Sequence, residues 1–279
     1  MTQITKCLLT GATGGIGKAI AHRLANAGYS LILHGRDSNK LKQLQLELTG
    51  THEVLACDLL VAEQRQKLLT QLKQRADISV LINNAGISAF GLFEHQDSQE
   101  IARQLTMNLT IPMQLTHALL SQIEFHQGSI INIGSAFGAI AFPCFTSYSA
   151  SKFGLRGFSE ALSRELANRS VHVGYFAPRT TATAINCAHV DEMNFALGNS
   201  VDSPEYVAQQ LLTFITKKQK RMSIGWPEKF FARLNGFLPE LVDNALAKKL
   251  KVICHYLPQL SLTQKKSHQQ QESSNEIVK

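Results

Sequence analysis

No stretch of about 18 apolar residues occurs in this 279-residue chain, so no segment is expected to cross a bilayer as a helix. The opening residues lack the basic, apolar and cleavable regions of a secretory leader, and their apolar side chains read as a first buried strand. Cysteine is scarce: Cys7, Cys57, Cys144, Cys187 and Cys254 form no Cys-x-x-Cys pair. The ten histidines show no His-Glu-x-x-His spacing. Neither a disulfide frame nor a metal site is therefore expected, and a reducing cytoplasm suits the composition. Internal repeats are absent as well. What the chain does have is a 44% apolar content, ample for one α/β domain with a large core.

Charge is unevenly placed. Residues 217–279 hold 12 Lys+Arg against 5 Asp+Glu, which accounts for the whole formal net charge of +7, while residues 1–216 balance at 16 each. Within that segment, Trp226, Phe230, Phe231, Phe237 and Leu238 alternate with Lys229 and Arg233. A helix-like run, Glu240 to Tyr256, follows with Lys248, Lys249 and Lys251 late in it. Three readings stay open for residues 226–258: helices docked on their own domain, a cap over a substrate pocket or subunit interface, and an interfacial helix pair on anionic lipid, peripheral at the inner membrane surface. No recognition motif accompanies the charge, so nucleic acid is not an expected partner. The tail, 259–279, is rich in Gln, Ser and Lys and is expected to be disordered.

The chemistry-bearing residues come in a definite order. A strand-like run, Lys6 to Thr10, leads into Gly11-Ala12-Thr13-Gly14-Gly15-Ile16-Gly17 and then a helix-like stretch with Ile16, Ile20, Leu24 and Ala27. Strand, glycine loop and helix together aim backbone N–H groups and a positive helix end at a pyrophosphate. The spacing is Gly-x-x-x-Gly-x-Gly, and Ala19 after Gly17-Lys18 rules out a P-loop. A second strand, Tyr29 to Leu33, ends in His34-Gly35-Arg36-Asp37. Gly35 offers no carboxylate to repel a phosphate, and Arg36 can grip one through its planar fork of donors, which favours NADP(H) over NAD(H). Asp37 on the ribose is the competing, NAD-linked reading, and His34 is a further possible donor. Cys57-Asp58-Leu59 ends a third strand, Leu81 to Gly86 a fourth through Asn83-Asn84-Ala85-Gly86, and Ser129 to Ile133 a fifth that delivers Ser135. Tyr148 and Lys152 stand four apart, on one helix face. An ammonium beside a phenol favours the phenolate and should bring its pKa of about 10 toward the working range.

This ordered set resembles the short-chain dehydrogenase/reductase family: Thr10-Gly11-x-x-x-Gly15-Ile16-Gly17, Asp58, Asn83-Asn84-Ala85-Gly86, Asn108, Ser135 and Tyr148-x-x-x-Lys152, over roughly residues 4–225. The resemblance implies a single doubly wound α/β Rossmann domain, residues 1–225, with a parallel seven-stranded sheet and a C-terminal helical extension. It also implies an oligomer paired through the helices bearing Asn108 and Tyr148. Tyr148 would be the general acid toward a ketone, or the base toward an alcohol. Lys152 would tune it and bond the nicotinamide ribose. Ser135 would steady the substrate oxygen, and Asn108, in the helix-like run Ile101 to Leu120, would anchor a relay water. Gly11, Thr13, Gly15, Ile16, Gly17, Arg36, Asp58, Asn84, Ala85 and Gly86 would hold the dinucleotide. After the sixth strand, Val171 to Phe176, the chain departs from the family's Pro-Gly: Arg179 follows Pro178, leaving Thr181 and Thr183 as candidates for the nicotinamide amide. Arg179 itself could meet the cofactor phosphates or an anionic substrate, or pair at the surface with a helix acid.

The apolar stretch Ala136 to Phe145 and the family's lid segment, with Ile185, Met193, Phe195 and Leu197, suggest a hydrophobic, lipid-like carbonyl substrate. The expected activity is NADP(H)-dependent carbonyl reduction or the reverse oxidation of the secondary alcohol. The alternatives are an NAD-linked alcohol dehydrogenase and a non-catalytic dinucleotide-binding regulator or scaffold. The second has no physical need for Ser135, Tyr148 and Lys152 together.

Overall fold

Runs such as Leu31-Ile32-Leu33 and Leu81-Ile82 are fully buried on both sides, as strands between two helical layers must be. The computed structural model describes residues 5–257; the tail expected over 259–279 lies outside the described residues. In chain order the elements are β1 (Lys6–Leu9), α1 (Gly15–Asn26), β2 (Ser30–Gly35), α2 (Ser38–Glu47), β3 (Glu53–Ala56), α3 (Ala62–Lys73) and β4 (Val80–Asn83). Then come α4 (Ser98–Leu105), α5 (Ile111–Phe125), β5 (Ser129–Ile133), α6 (Thr146–Glu165), β6 (His172–Ala177), α7 (Ala188–Ala196), α8 (Pro204–Thr216) and β7 (Arg221–Ser223). Two further helices, α9 (Trp226–Phe237) and α10 (Pro239–His255), follow the last strand.

The seven strands form one parallel sheet ordered β3-β2-β1-β4-β5-β6-β7. Side-chain alternation sorts the core into two layers. Leu31 and Leu33 meet Ile20 and Leu24 of α1 and Phe214 of α8 on one face. Ile32 meets Leu72 of α3 and Leu119 of α5 on the other. Each fully buried leucine or isoleucine contributes roughly 2 kcal/mol. The strand order reverses between β1 and β4, which opens a crevice at the carboxyl ends of the strands, where such sheets bind ligands.

Three local expectations change. β3 stops at Ala56, so Cys57-Asp58 begins the loop beyond it. The run expected as one helix from Ile101 to Leu120 is broken: Thr106–Thr110 forms a π-helical turn between α4 and α5. Asp37 caps α2, its Oδ1 accepting from Asn39 N at 2.9 Å and Lys40 N at 3.1 Å. Capping stabilises a helix start by about 1 kcal/mol, and it turns this oxygen inward to the backbone.

Candidate active site

The glycine loop is braced from the neighbouring strand. Asn84 Nδ2 donates to Thr10 O at 2.9 Å and Gly11 O at 3.2 Å. Thr10 Oγ1 accepts from Asn84 N at 2.9 Å and Ala85 N at 3.0 Å. Gly11 adopts φ +66°, a left-handed conformation that favours glycine. A Cβ on Gly17 would lie 2.0 Å from Gly11 O, so only glycine lets the first turn of α1 close over the loop. Gly14, ahead of α1, supplies no side-chain cap. The first N–H groups of α1 thus stay available to an anion.

At the end of β2, Gly35 packs beside Thr13 Oγ1 and Leu41, and Arg36 is exposed. His34 is buried, and burial pulls its pKa down to about 4, so it sits neutral inside the sheet and is no surface donor. Asp58 Oδ1 accepts from Leu60 N at 3.0 Å, which shapes the loop after β3.

Ser135, Tyr148 and Lys152 line one cavity of about 480 Å3 with Asn84, Gly86 and Ile16 on one side and Pro178, Thr181 and Thr183 on another. Gly11, Thr13, Gly15, Gly17, Arg36, Asp58 and Ala85 lie outside its lining. Lys152 Nζ donates to Ile133 O at 3.0 Å and stands 5.7 Å from the centre of the Tyr148 ring. Burial lowers the Lys152 pKa to about 8. Burial also raises that of Tyr148, with a hydrogen bond to Ser135 pulling it back down. The expectation that the lysine brings the phenol toward neutrality therefore fails here: desolvation dominates, and the phenol stays protonated.

Asn108 is not in the cavity wall. The π-helical turn swings its amide so that Oδ1 accepts from Ile87 N at 2.9 Å, while Nδ2 donates to Ile87 O at 2.9 Å and Ser151 Oγ at 3.0 Å. It is fully buried, and it clamps the loop after β4 to α6. Ser151 in turn donates to Tyr148 O at 2.7 Å. Sequence reasoning passed over Ser151, although it lies inside the Tyr148-Ser149-Ala150-Ser151-Lys152 segment. It also passed over Tyr175, whose ring fills the space a Cβ would need at Gly134 and Gly138 and so supports Ser135 from beneath. No local pattern marks that residue.

Thr181 and Thr183 part company. Thr181 Oγ1 donates to Arg179 O at 3.0 Å and pairs across a β-bridge with Asp202. Thr183 lies against Gly15, and its buried Oγ1 has no hydrogen-bond partner among the described residues. Arg179 forms a two-pronged ion pair with Asp202, at 2.9 and 2.7 Å. That acid precedes α8 and is not part of a helix.

Much of the remaining wall is apolar, with Ser88, Arg179, Asn186, Asn194 and Asn199 interspersed. Phe137, Ile140, Phe142 and Phe145 form one wall, and Ile185, Met193 and Leu197 another. Phe195, expected among them, is 89% exposed and points away. Phe231 of α9 and Val242, Leu246 and Lys249 of α10 complete the lining, so the C-terminal helices roof the cavity.

These residues fit a nicotinamide dinucleotide: an uncapped helix start over a glycine cradle, and an unpartnered buried hydroxyl on Thr183 at its edge. The comparisons agree. The family model for short chain dehydrogenase matches residues 5–194. Nodulation protein G of Rhizobium meliloti is 37% identical over 195 residues, 68% of this chain and 76% of that protein. The 3-oxoacyl-[acyl-carrier-protein] reductase FabG of Haemophilus influenzae is 34% identical over 196 residues, 70% and 81% of the two chains. A short-chain dehydrogenase from Sphingobium yanoikuyae, solved in complex with NADPH, superposes with a TM-score of 0.73 at 26% identity, covering 86% of this chain and 96% of that one. The chain belongs to the short-chain dehydrogenase family.

Proposed function

We propose that this chain is an NADPH-linked reductase of hydrophobic carbonyl compounds, with Ser135, Tyr148 and Lys152 at the reacting oxygen. The carrying observation is one cavity that brings these three polar groups together beside a phenylalanine-rich wall, next to the glycine loop. When bound, the nicotinamide supplies hydride to the carbonyl carbon. Ser135 donates a hydrogen bond to the carbonyl oxygen and steadies the charge that grows there. Tyr148 gives its proton to that oxygen, so the carbonyl π bond is lost as C–H and O–H bonds form. The raised phenol pKa keeps the proton in place until then. Lys152 ties the phenol-bearing helix to the end of β5, and Asn108 clamps it to the loop after β4.

The phenylalanine-rich wall favours long apolar chains, and resemblance to a 3-oxoacyl-[acyl-carrier-protein] reductase supports a 3-keto compound. A panel of long-chain 3-keto esters and short polar ketones, followed by NADPH absorbance, tests this. The long-chain set should show the higher kcat/KM; faster turnover of the short polar ketones would exclude the reading.

NADP(H) preference rests on exposed Arg36 beside Gly35, with Asp37 engaged as a helix cap. A charge-assisted hydrogen bond contributes about 1.5–3 kcal/mol. Arg36→Ala is therefore expected to weaken NADPH binding by roughly 10- to 100-fold and leave NADH affinity alone. Equal losses for both dinucleotides in a fluorescence titration would remove Arg36 from the 2′-phosphate site.

A further inference from the structure

Helix α9 carries two faces with opposite assignments. Inward, Asn235 Nδ2 donates to Ala139 O at 3.1 Å and Phe231 lines the cavity. On the opposite side, Trp226, Phe230, Arg233 and Phe237 recur at i, i+4, i+7 and i+11, which sets them in one stripe. The three aromatics of this stripe are 75%, 52% and 84% exposed. Leu238 and Leu241 extend the exposed apolar surface toward α10, and Lys229 flanks it. Scattered exposed apolar residues are ordinary, but three large aromatics on a single helix face are not. The stripe lies beyond the part of the chain that matches the family model, which ends at residue 194.

We propose that this face docks on an anionic phospholipid surface, with Trp226, Phe230 and Phe237 entering the headgroup boundary and Lys229 and Arg233 meeting lipid phosphates. Charge decides the occupant. Lys229 and Arg233, both exposed, give the stripe and its flank a positive charge. A second copy of the chain meeting this face across a twofold axis would bring like charges together. Anionic lipid supplies the opposite sign, and aromatic side chains favour the bilayer boundary. Docking there would place the roof of the cavity about one helix diameter, ~10 Å, from the lipid.

Trp226 is the sole tryptophan in the chain, so its emission reports on this face alone. The experiment mixes the full-length protein with vesicles of phosphatidylcholine, or of equal parts phosphatidylcholine and phosphatidylglycerol. A blue shift with the anionic vesicles alone, quenched by brominated acyl chains and reversed by high salt, is expected. Lys229→Glu combined with Arg233→Glu should lower the partition coefficient by about 30-fold or more, since each basic residue near the surface contributes about 1 kcal/mol. NADPH oxidation by that variant with a soluble ketone in lipid-free buffer should match wild type, which separates failure of docking from failure of the catalytic reading. The inference is overturned by any of four results: no shift with anionic vesicles, an unchanged partition coefficient in the double variant, a shift that follows protein concentration without lipid, or one produced by an acidic carrier protein and not by vesicles.

Discussion

Tyr148→Phe is expected to reduce carbonyl turnover by about 1,000-fold, the middle of the range for removing a positioned proton donor. The ring would keep its place, because Phe137 and Phe145 pack edge-on against it at centroid distances of 6.3 Å. Ser151 would still donate to the backbone carbonyl of residue 148. Only the hydroxyl is lost, so NADPH affinity should stay roughly unchanged. Single-turnover reduction monitored at the NADPH absorbance, beside a binding titration, reads both quantities. A residual rate within tenfold of wild type would mean that another group delivers the proton.

Lys152→Met should separate activity from stability, lowering the first and raising the second at neutral pH. Burial pulls the ammonium from its ordinary pKa of 10.5 to about 8. Holding it charged inside the protein at pH 7 therefore costs about 3 kcal/mol. Methionine removes that cost but also the bond to Ile133 O, worth about 1 kcal/mol. A net gain of about 2 kcal/mol, a few degrees in Tm, is expected. The sign with pH follows from the lowered folded-state value. Between about pH 8 and 10.5 the unfolded chain binds more protons at Lys152, so wild-type stability from this group rises with pH in that window. The methionine variant should lack that rise. In wild type, kcat/KM for reduction should fall as pH passes about 8, where the free enzyme loses this proton. A variant with lower Tm and an unaltered alkaline limb would show that Lys152 is neither strained nor functional.

Much of the architecture was legible because it is written in short-range spacing. Buried strands announce themselves as apolar runs, and the glycine loop must stand between a strand and a helix. A spacing of four from Tyr148 to Lys152 puts both on one face of α6, and both line the same cavity. The segments ending in Asn84-Ala85-Gly86 and Ser135 likewise meet at one edge of the sheet, since parallel strands all end on that side.

Expectations went astray where the outcome rests on partners far along the chain. Asn108 reads as one more residue of a helix until Ile87 and Ser151 capture its amide and a π-helical turn forms. Nothing next to Tyr148 reveals that burial raises its pKa by more than the Ser135 hydrogen bond lowers it. Tyr175 supports Ser135 across 40 residues of sequence, and Arg179 finds Asp202 across 23.

The sequence by itself determined the doubly wound sheet, the glycine loop and the order of Ser135, Tyr148 and Lys152, because strand alternation, helical period and glycine geometry are local properties of the chain. Only the tertiary structure decided that Asp37 caps a helix, that Phe195 faces outward, and that α9 and α10 roof the cavity while Trp226, Phe230 and Phe237 face the outside. Those outcomes depend on which surfaces are buried together, and burial is a property of the packed whole.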